Sequence, residues 1–251
     1  MCLPEQEGSS MNIIICHSVH DVALHAYEIF QKQLIKKPNS VLGLATGSSP
    51  ILLYEQLVLG YQRKEITFKD IIVMNLDEYV GLSPNHPQSY AAFMRHHLFD
   101  HVDIILNNTF IPHGIASDYE QECDSYNQLL EKYPRDIQLL GIGSNGHIGF
   151  NEPHTPFDSI THVVRLKEST RQDNAIFFNS LSEVPTHALS MGIQNILAAK
   201  KIVLIAIGKK KADAIFNMIH GPIDVSCPGS ILQIHSDVTL ILDEDAASLI
   251  Q

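Results

Sequence analysis

Short apolar runs alternate with longer amphipathic segments along this chain. Seven runs rich in β-branched and aliphatic side chains are predicted strands, and they are Asn12–Cys16, Val41–Ala45, Ile71–Asn75, Ile137–Ile142, His162–Leu166, Ile202–Ile207 and Val238–Leu242. Four of the seven are continuously apolar, which is typical of strands that are buried on both faces of a sheet. The pattern therefore predicts a sheet that is covered by helices on both sides.

The segments between these strands carry apolar residues at helical spacing. The predicted helices are Asp21–Lys36, Pro50–Gln62, Tyr90–Leu98, Tyr119–Lys132, Gly192–Lys200 and Lys210–His220. Pro50 stands at the expected first helical position. Alternating strands and helices predict an α/β fold with a mostly parallel sheet. No repeat or linker interrupts the pattern, so we expect a polar extension over residues 1–10 and one domain over residues 11–251.

Composition and charge exclude several classes of protein. The 251 residues are 45% hydrophobic, and 28 acidic against 17 basic side chains give a net charge of −11. So acidic a chain is poorly suited to follow a phosphate backbone, and we expect no nucleic-acid partner. No apolar run reaches the roughly 18 residues of a membrane span. The first residues lack the features of a signal peptide, and the four scattered cysteines indicate neither disulfides nor zinc, so we expect a cytoplasmic protein.

The loop after the second strand has the features of an anion site. Ligands of open α/β sheets bind where strands end, so the residues that follow each strand are the candidates. Here these residues are Thr46, Gly47, Ser48 and Ser49, and a helix follows. Gly47 permits a close approach of the backbone, while the hydroxyls and the free N–H groups of the helix can donate to an anion. The loop is a phosphate site, a helix cap formed by Ser49, or both.

Two adjacent carboxylates, Asp77 and Glu78, follow the third strand. Neighbouring side chains of an extended chain point in opposite directions. We therefore expect one carboxylate to face the site and the other to fix the loop.

A glycine-rich loop follows the fourth strand. Gly141, Gly143 and Gly146 match the pattern GxGxxG, but Pro153 follows and no helix opens at once. A dinucleotide site needs that helix, so the pattern does not predict one.

The same loop carries three polar side chains, Asn145, His147 and Glu152. Imidazole titrates near neutral pH, and a nearby carboxylate can orient and tune it. Together with Asp77, these groups suit proton transfer on a neutral substrate without a metal ion. Further along, Lys209, Lys210 and Lys211 open a helix, where cations oppose the helix dipole. They form either a solvated run or part of a site for an anion.

Four long motifs occur in a fixed order: LGLATGSSP (42–50), NLDEYVGL (75–82), HPQSYAAFM (86–94) and GIGSNGHIGFNEP (141–153). Together they make the chain similar to the glucosamine-6-phosphate deaminase family, over nearly its whole length from about Met11. The resemblance implies a Rossmann-like three-layer fold. It also implies the conversion of glucosamine 6-phosphate and water to fructose 6-phosphate and ammonia, with an amino-sugar phosphate as the small-molecule partner and no metal or organic cofactor.

The resemblance also implies a role for each site residue. Asp77 is implied to be the base that moves a proton between C2 and C1. His147, supported by Asn145 and Glu152, is implied to open the pyranose ring. The implied phosphate site consists of Thr46, Gly47, Ser48, Ser49 and Lys211.

Three departures from the family pattern affect these expectations. Ile176 stands where the family usually has a phosphate-binding arginine, and the loss of such a contact costs about 1.5–3 kcal/mol unless Arg171, Arg165 or another lysine compensates. Some members carry Asp in place of Asn145. His162 and Val164 replace the basic residues of regulated members, so we expect no allosteric activation.

Three alternative functions stay open: a deaminase of another epimer such as galactosamine 6-phosphate, a 6-phosphogluconolactonase, and a sugar-phosphate sensor without catalysis. The motifs at 75–81 and 150–153 fit the deaminase better than the lactonase. The presence of Asp77, His147 and Glu152 argues against a sensor. The sequence does not distinguish a monomer from a homo-oligomer.

Overall fold

The computed structural model describes residues 11–251, apart from the side chains at positions 169, 173 and 177. The predicted polar extension over residues 1–10 lies outside the described residues. The described strands are β1 (Asn12–Cys16), β2 (Val41–Leu44), β3 (Ile72–Asn75), β4 (Asp77–Tyr79), β5 (Thr109–Phe110), β6 (Ile137–Leu140), β7 (His162–Arg165), β8 (His187–Ser190), β9 (Ile202–Ala206) and β10 (Val238–Asp243). The helices are α1 (Val19–Lys36), α2 (Ile51–Gln62), α3 (Tyr90–His97), α4 (Tyr119–Lys132), α5 (Glu168–Asn174), α6 (Ile193–Leu197) and α7 (Ala212–His220).

Seven of the strands form one parallel sheet in the order β1-β10-β9-β6-β2-β3-β5. Every residue of β2, β6, β9 and β10 is buried, because helices cover both faces of the sheet. The predicted α/β architecture, with a mostly parallel central sheet and flanking helices, is confirmed.

The strand order places the functional loops together. From β2 the chain runs outward to β3 and β5, and β6 then starts the other half of the sheet with β9, β10 and β1. The crevice of an open α/β sheet lies where the strand order reverses in this way. The loops after β2 and β6 therefore meet at the centre of the sheet edge.

The prediction for residues 162–166 is wrong in one respect. The strand forms, as β7, but it pairs antiparallel with β8 in a separate sheet of order β4-β8-β7. Only Val164 of this strand is buried, in a small hydrophobic cluster with Tyr79, Phe150, Leu166 and Ala188. Strands β4, β5 and β8 had no counterpart in the sequence pattern.

Several helix boundaries also differ from the pattern. Helix α2 begins at Ile51, one residue after Pro50, and α6 ends at Leu197. Helix α7 begins at Ala212, because Lys209–Lys211 form a separate 3-10 turn. Of the described helices, none combines the length and the apolar character that crossing a membrane would require.

Candidate active site

A cavity of about 270 Å³ opens where β2, β3, β6 and β9 end. Of the nine residues to which the family resemblance assigns a role, seven line it, and they are Thr46, Gly47, Ser48, Ser49, Asp77, His147 and Lys211. The other two, Asn145 and Glu152, do not line the cavity and lie behind His147. The shared edge of the parallel strands thus collects residues from distant parts of the chain.

Asp77 and Glu78 diverge at the start of β4. Asp77 lines the cavity, whereas Glu78 is buried and accepts backbone hydrogen bonds. Its Oε1 accepts from the N–H of Tyr79 at 2.8 Å and from that of Tyr90 at 2.9 Å, and its Oε2 accepts from Ala91 at 2.9 Å. Glu78 thereby joins the first turn of α3 to the strand that positions Asp77.

Burial shifts both carboxyl groups toward neutral pH. Burial, and secondarily the charge of Glu78, raise the pKa of Asp77 to about 8. Burial also raises the pKa of Glu78 to about 7, against the lowering effect of its backbone donors. A carboxylate whose pKa lies near the operating pH is suited to take up a proton and return it. In this pair, only Asp77 faces the cavity.

A chain of side-chain hydrogen bonds orients His147. Asn145 Oδ1 lies 2.7 Å from His147 Nδ1, and Asn145 Nδ2 donates to Glu152 Oε2 at 2.8 Å. The hydroxyl of Thr170, from α5, donates to the other oxygen of Glu152. Because an amide oxygen only accepts, the Nδ1 of His147 carries a proton in this arrangement. In a neutral ring, Nε2 then carries no proton and can accept one.

Glu152 also acts on His147 through its charge. Its Oε2 lies 3.8 Å from Nδ1 of the imidazole, and its side chain is buried. A buried carboxylate at this distance stabilises the protonated ring. Glu152 and Asn145 thus orient and tune the imidazole without reaching the cavity themselves.

The loop between β2 and α2 has the geometry of an anion site. Gly47 has a φ of +95°, a backbone conformation that other residues rarely adopt. Pro50, not Ser49, occupies the position before the helix, and no side chain caps it. The cap formed by Ser49 is therefore a wrong expectation, and Ser49 lines the cavity instead.

Two lysines face the same cavity from the turn after β9. Lys210 and Lys211 both line it, whereas Lys209 of the same turn does not. Gly208, with a φ of +87°, begins this turn, and its N–H donates to the carboxylate of Asp243 at 3.0 Å. All three lysines were candidates from the sequence, but the family resemblance implied a phosphate contact for Lys211 alone.

The arginines named as replacements for the family's arginine do not reach the cavity. The guanidinium of Arg171 donates to the carbonyls of Leu181 and Val184 at 2.9 and 3.0 Å. Arg165 is not among the lining residues either, whereas Ile176 is, with 78% of its surface exposed.

Tyr90 is a lining residue that the sequence analysis did not single out. Its ring packs against Tyr79, with centroids 4.7 Å apart, and against Phe150. Burial raises the pKa of its hydroxyl. The motif HPQSYAAFM contained this residue, but nothing in the motif indicated its position. In the described part of the chain, we find no group of three or more His, Cys, Asp or Glu side chains that could hold a metal ion.

Sequence comparison relates this chain to a single family. The family model for glucosamine-6-phosphate isomerases/6-phosphogluconolactonase matches residues 17–241. A glucosamine-6-phosphate deaminase from Clostridium novyi (strain NT) is 53% identical over 239 residues, covering 95% of this chain and 99% of that protein. Another from Thermoanaerobacter sp. (strain X514) is 51% identical over 241 residues, covering 96% and 95%.

Solved structures give the same result. A monomeric glucosamine-6-phosphate deaminase superposes with a TM-score of 0.94 at 47% identity, covering 95% of this chain and all of that one (100%). A 6-phosphogluconolactonase from Trypanosoma cruzi has a TM-score of 0.75 at 19% identity over 98% of both chains, which shows the shared fold alone. The resemblance of the motifs is thus confirmed, and the chain belongs to the family of glucosamine-6-phosphate isomerases and 6-phosphogluconolactonases.

Proposed function

We propose that the protein is a glucosamine-6-phosphate deaminase, which converts glucosamine 6-phosphate and water to fructose 6-phosphate and ammonia. The observation that carries the proposal is one cavity with a buried carboxylate of raised pKa, an oriented imidazole and a loop for an anion. The two relatives described above, which are 53% and 51% identical to this chain over nearly their whole length, are named as this deaminase.

Asp77 is proposed as the base of the isomerisation. In the open-chain amino sugar, the carboxylate takes the proton from C2 and the C–H electrons form the C1=C2 double bond. The electrons of the C1 carbonyl move to its oxygen, which takes a proton from the solvent, and an enolamine results. The same carboxyl group then returns the C2 proton to C1 as the nitrogen lone pair forms the C2=N bond, which leaves a protonated ketimine at C2. Water adds to the ketimine and ammonia leaves, giving fructose 6-phosphate. One base near two adjacent carbons suffices for both proton transfers.

His147 is proposed to open the pyranose ring. With its proton on Nδ1, the ring can accept the proton of the C1 hydroxyl at Nε2. The imidazolium then donates a proton to the ring oxygen as the bond between C1 and that oxygen breaks. Glu152 stabilises the transient positive charge from 3.8 Å. The loop 46–49 and Lys211 hold the phosphate at the other end of the substrate.

A parallel assay of three substrates tests the proposal. We expect ammonia release from glucosamine 6-phosphate to exceed that from galactosamine 6-phosphate, and 6-phosphogluconolactone to be hydrolysed no faster than without protein. Faster turnover of galactosamine 6-phosphate would reassign the epimer. Hydrolysis of the lactone without ammonia release from either amino sugar would contradict the proposal.

Gly143 is expected to be required for the position of His147. A Cβ at this residue would lie 2.1 Å from Cε1 and 2.2 Å from Nδ1 of the ring, so Gly143→Ala must displace the imidazole. We expect kcat/KM to fall by about 10²-fold, the usual cost of misplacing a catalytic group by an ångström. Steady-state ammonia release measures this effect.

Gly141→Ala is the matched control for Gly143→Ala, because its Cβ would meet only the carbonyl of Ile205 at 4.0 Å. We expect this variant to keep nearly the activity of the natural sequence. Equal activity of the two alanine variants would show that the position of the His147 ring does not require a glycine at 143.

A further inference from the structure

The phosphate end of the cavity contains one more lysine than the roles assigned so far use. Lys210 and Lys211 both line the cavity, and so does the loop 46–49. A phosphate monoester carries nearly two negative charges at neutral pH. Lys211 alone would neutralise only part of that charge, because the donors of the loop are neutral. The protein as a whole, with a net charge of −11, does not supply the rest.

The ammonium of Lys210 is available for a ligand. Lys200 and Lys201, which precede β9, pair with Asp136 at 2.8 Å and with Asp237 at 2.5 Å. Among the side chains that the structure describes, none forms an ion pair or hydrogen bond with Lys210. An unpaired lysine on the wall of a cavity is therefore a candidate ligand of an anion, whereas Lys200 and Lys201 stabilise the fold.

The phase of the turn decides which lysines reach the cavity. A 3-10 turn has three residues per turn, so successive side chains point about 120° apart. The turn is fixed at its start by the bond from Gly208 to Asp243 and is closed by the N–H of Lys211, which donates to the carbonyl of Gly208 at 3.0 Å. Within this fixed turn, Lys209 points away from the cavity, and Lys210 and Lys211 face it.

The other side of the cavity offers no second cation. Ile176 occupies the mouth with an exposed aliphatic side chain, and the guanidinium of Arg171 is held by backbone carbonyls. Within the described residues, Lys210 and Lys211 are the lining side chains with a permanent positive charge.

We propose that Lys210 is a second cationic ligand of the substrate's phosphate and replaces the contact that an arginine at position 176 would make. This inference rests on the proposed function for the identity of the substrate, but the anion-binding role of Lys210 can be measured separately. The three adjacent lysines then have different roles: one is solvated and two bind the phosphate.

Two variants with the same change of charge test this inference. Lys210→Gln is expected to raise KM for glucosamine 6-phosphate by about 10- to 150-fold, as for the loss of a charge-assisted contact, with kcat changed less than about threefold. Lys209→Gln is expected to leave KM within about twofold, because this exposed lysine does not line the cavity. Equal effects of the two variants would overturn the inference, because they would reflect net charge alone.

A second cation at position 176 should rescue the loss. Ile176→Arg is expected to lower KM of the natural sequence several-fold, and in the Lys210→Gln background to restore KM to within about threefold of the natural value. If KM of the double variant is as high as that of Lys210→Gln, a cation at position 176 does not replace Lys210, and the inference is contradicted.

Calorimetric binding of fructose 6-phosphate separates this inference from the proposed function, since it requires no turnover. We expect the affinity to fall about tenfold or more in Lys210→Gln and to be unchanged in Lys209→Gln. If the natural protein binds the phosphate in this way but releases no ammonia, the proposed function fails and the role of Lys210 stands. If ammonia is released and both variants bind fructose 6-phosphate equally well, only the role of Lys210 fails.

Discussion

Asp77→Asn is expected to lower kcat for ammonia release by about 10²- to 10⁴-fold and to leave KM for glucosamine 6-phosphate within a few-fold. The amide fills the same space as the carboxyl group, but it cannot take the proton from C2. Substrate binding depends mainly on the phosphate loop and the lysines, so the ground state is affected little. Steady-state kinetics on the purified variant measure both constants. Turnover close to that of the natural protein would remove Asp77 from the mechanism.

The same substitution is expected to stabilise the protein at alkaline pH. Burial raises the pKa of Asp77 from its ordinary value of 3.8 to about 8, so the folded state holds a proton that the unfolded state has lost. The free energy of unfolding of the natural protein therefore falls as the pH rises from about 4 to about 8. Asparagine has no proton to lose, and this part of the pH dependence disappears.

Urea unfolding at pH 5 and at pH 8.5 measures this difference. We expect the natural protein to lose more stability than Asp77→Asn between the two values. Glu78, whose pKa is also raised, is present in both proteins and contributes to both curves. An equal loss of stability in the two proteins would show that burial does not raise the pKa of Asp77 and that its carboxyl group is ionised at neutral pH.

His147→Gln is expected to lower kcat/KM for glucosamine 6-phosphate by about 10²-fold or more, the usual contribution of a positioned acid–base group. Glutamine can still donate a hydrogen bond to Asn145, so the loop is expected to keep its shape. What is lost is the group that accepts one proton and donates another during ring opening. Kinetics together with a thermal unfolding curve separate this effect from a loss of folding.

Glu152→Gln is the informative comparison for the histidine variant. The amide fills the same buried site, but the charge 3.8 Å from the imidazole is gone. We expect a smaller loss, of about tenfold, and a shift of the pH profile of kcat/KM, because no carboxylate then stabilises the imidazolium. A loss as large as that of His147→Gln, with no shift of the profile, would place Glu152 in a structural role only.

Six of the seven strands of the central sheet could be predicted from the sequence because they are runs rich in apolar residues, whereas β5 has only two residues and gave no signal. Val203, Leu204 and Ile205 are buried, as is typical of a continuously apolar strand that is covered on both faces. Of the small sheet, only β7 was predicted, from the run His162–Leu166. Strand β4 is only Asp77–Tyr79 and begins with two acids, and its pairing with β8 is apparent only in the three-dimensional structure.

The candidate site could be predicted as far as the topology determines it. Parallel strands end at one edge, so Thr46, Asp77 and His147 could be expected to meet there. The contacts behind them depend on loop geometry and not on spacing. Thr170 reaches Glu152 from a helix 18 residues further along the chain, and no pattern indicates that contact. The choice of Lys210 over Lys209 depends on the phase of a single turn.

The most direct test of this mechanism is to quantify both products of glucosamine 6-phosphate. The natural protein and Asp77→Asn are measured side by side. The mechanism predicts that ammonia and fructose 6-phosphate form in equal amounts, and at least about 10²-fold faster with the natural protein than with the variant. Absence of ammonia with the natural protein, or equal rates for the two proteins, would contradict it.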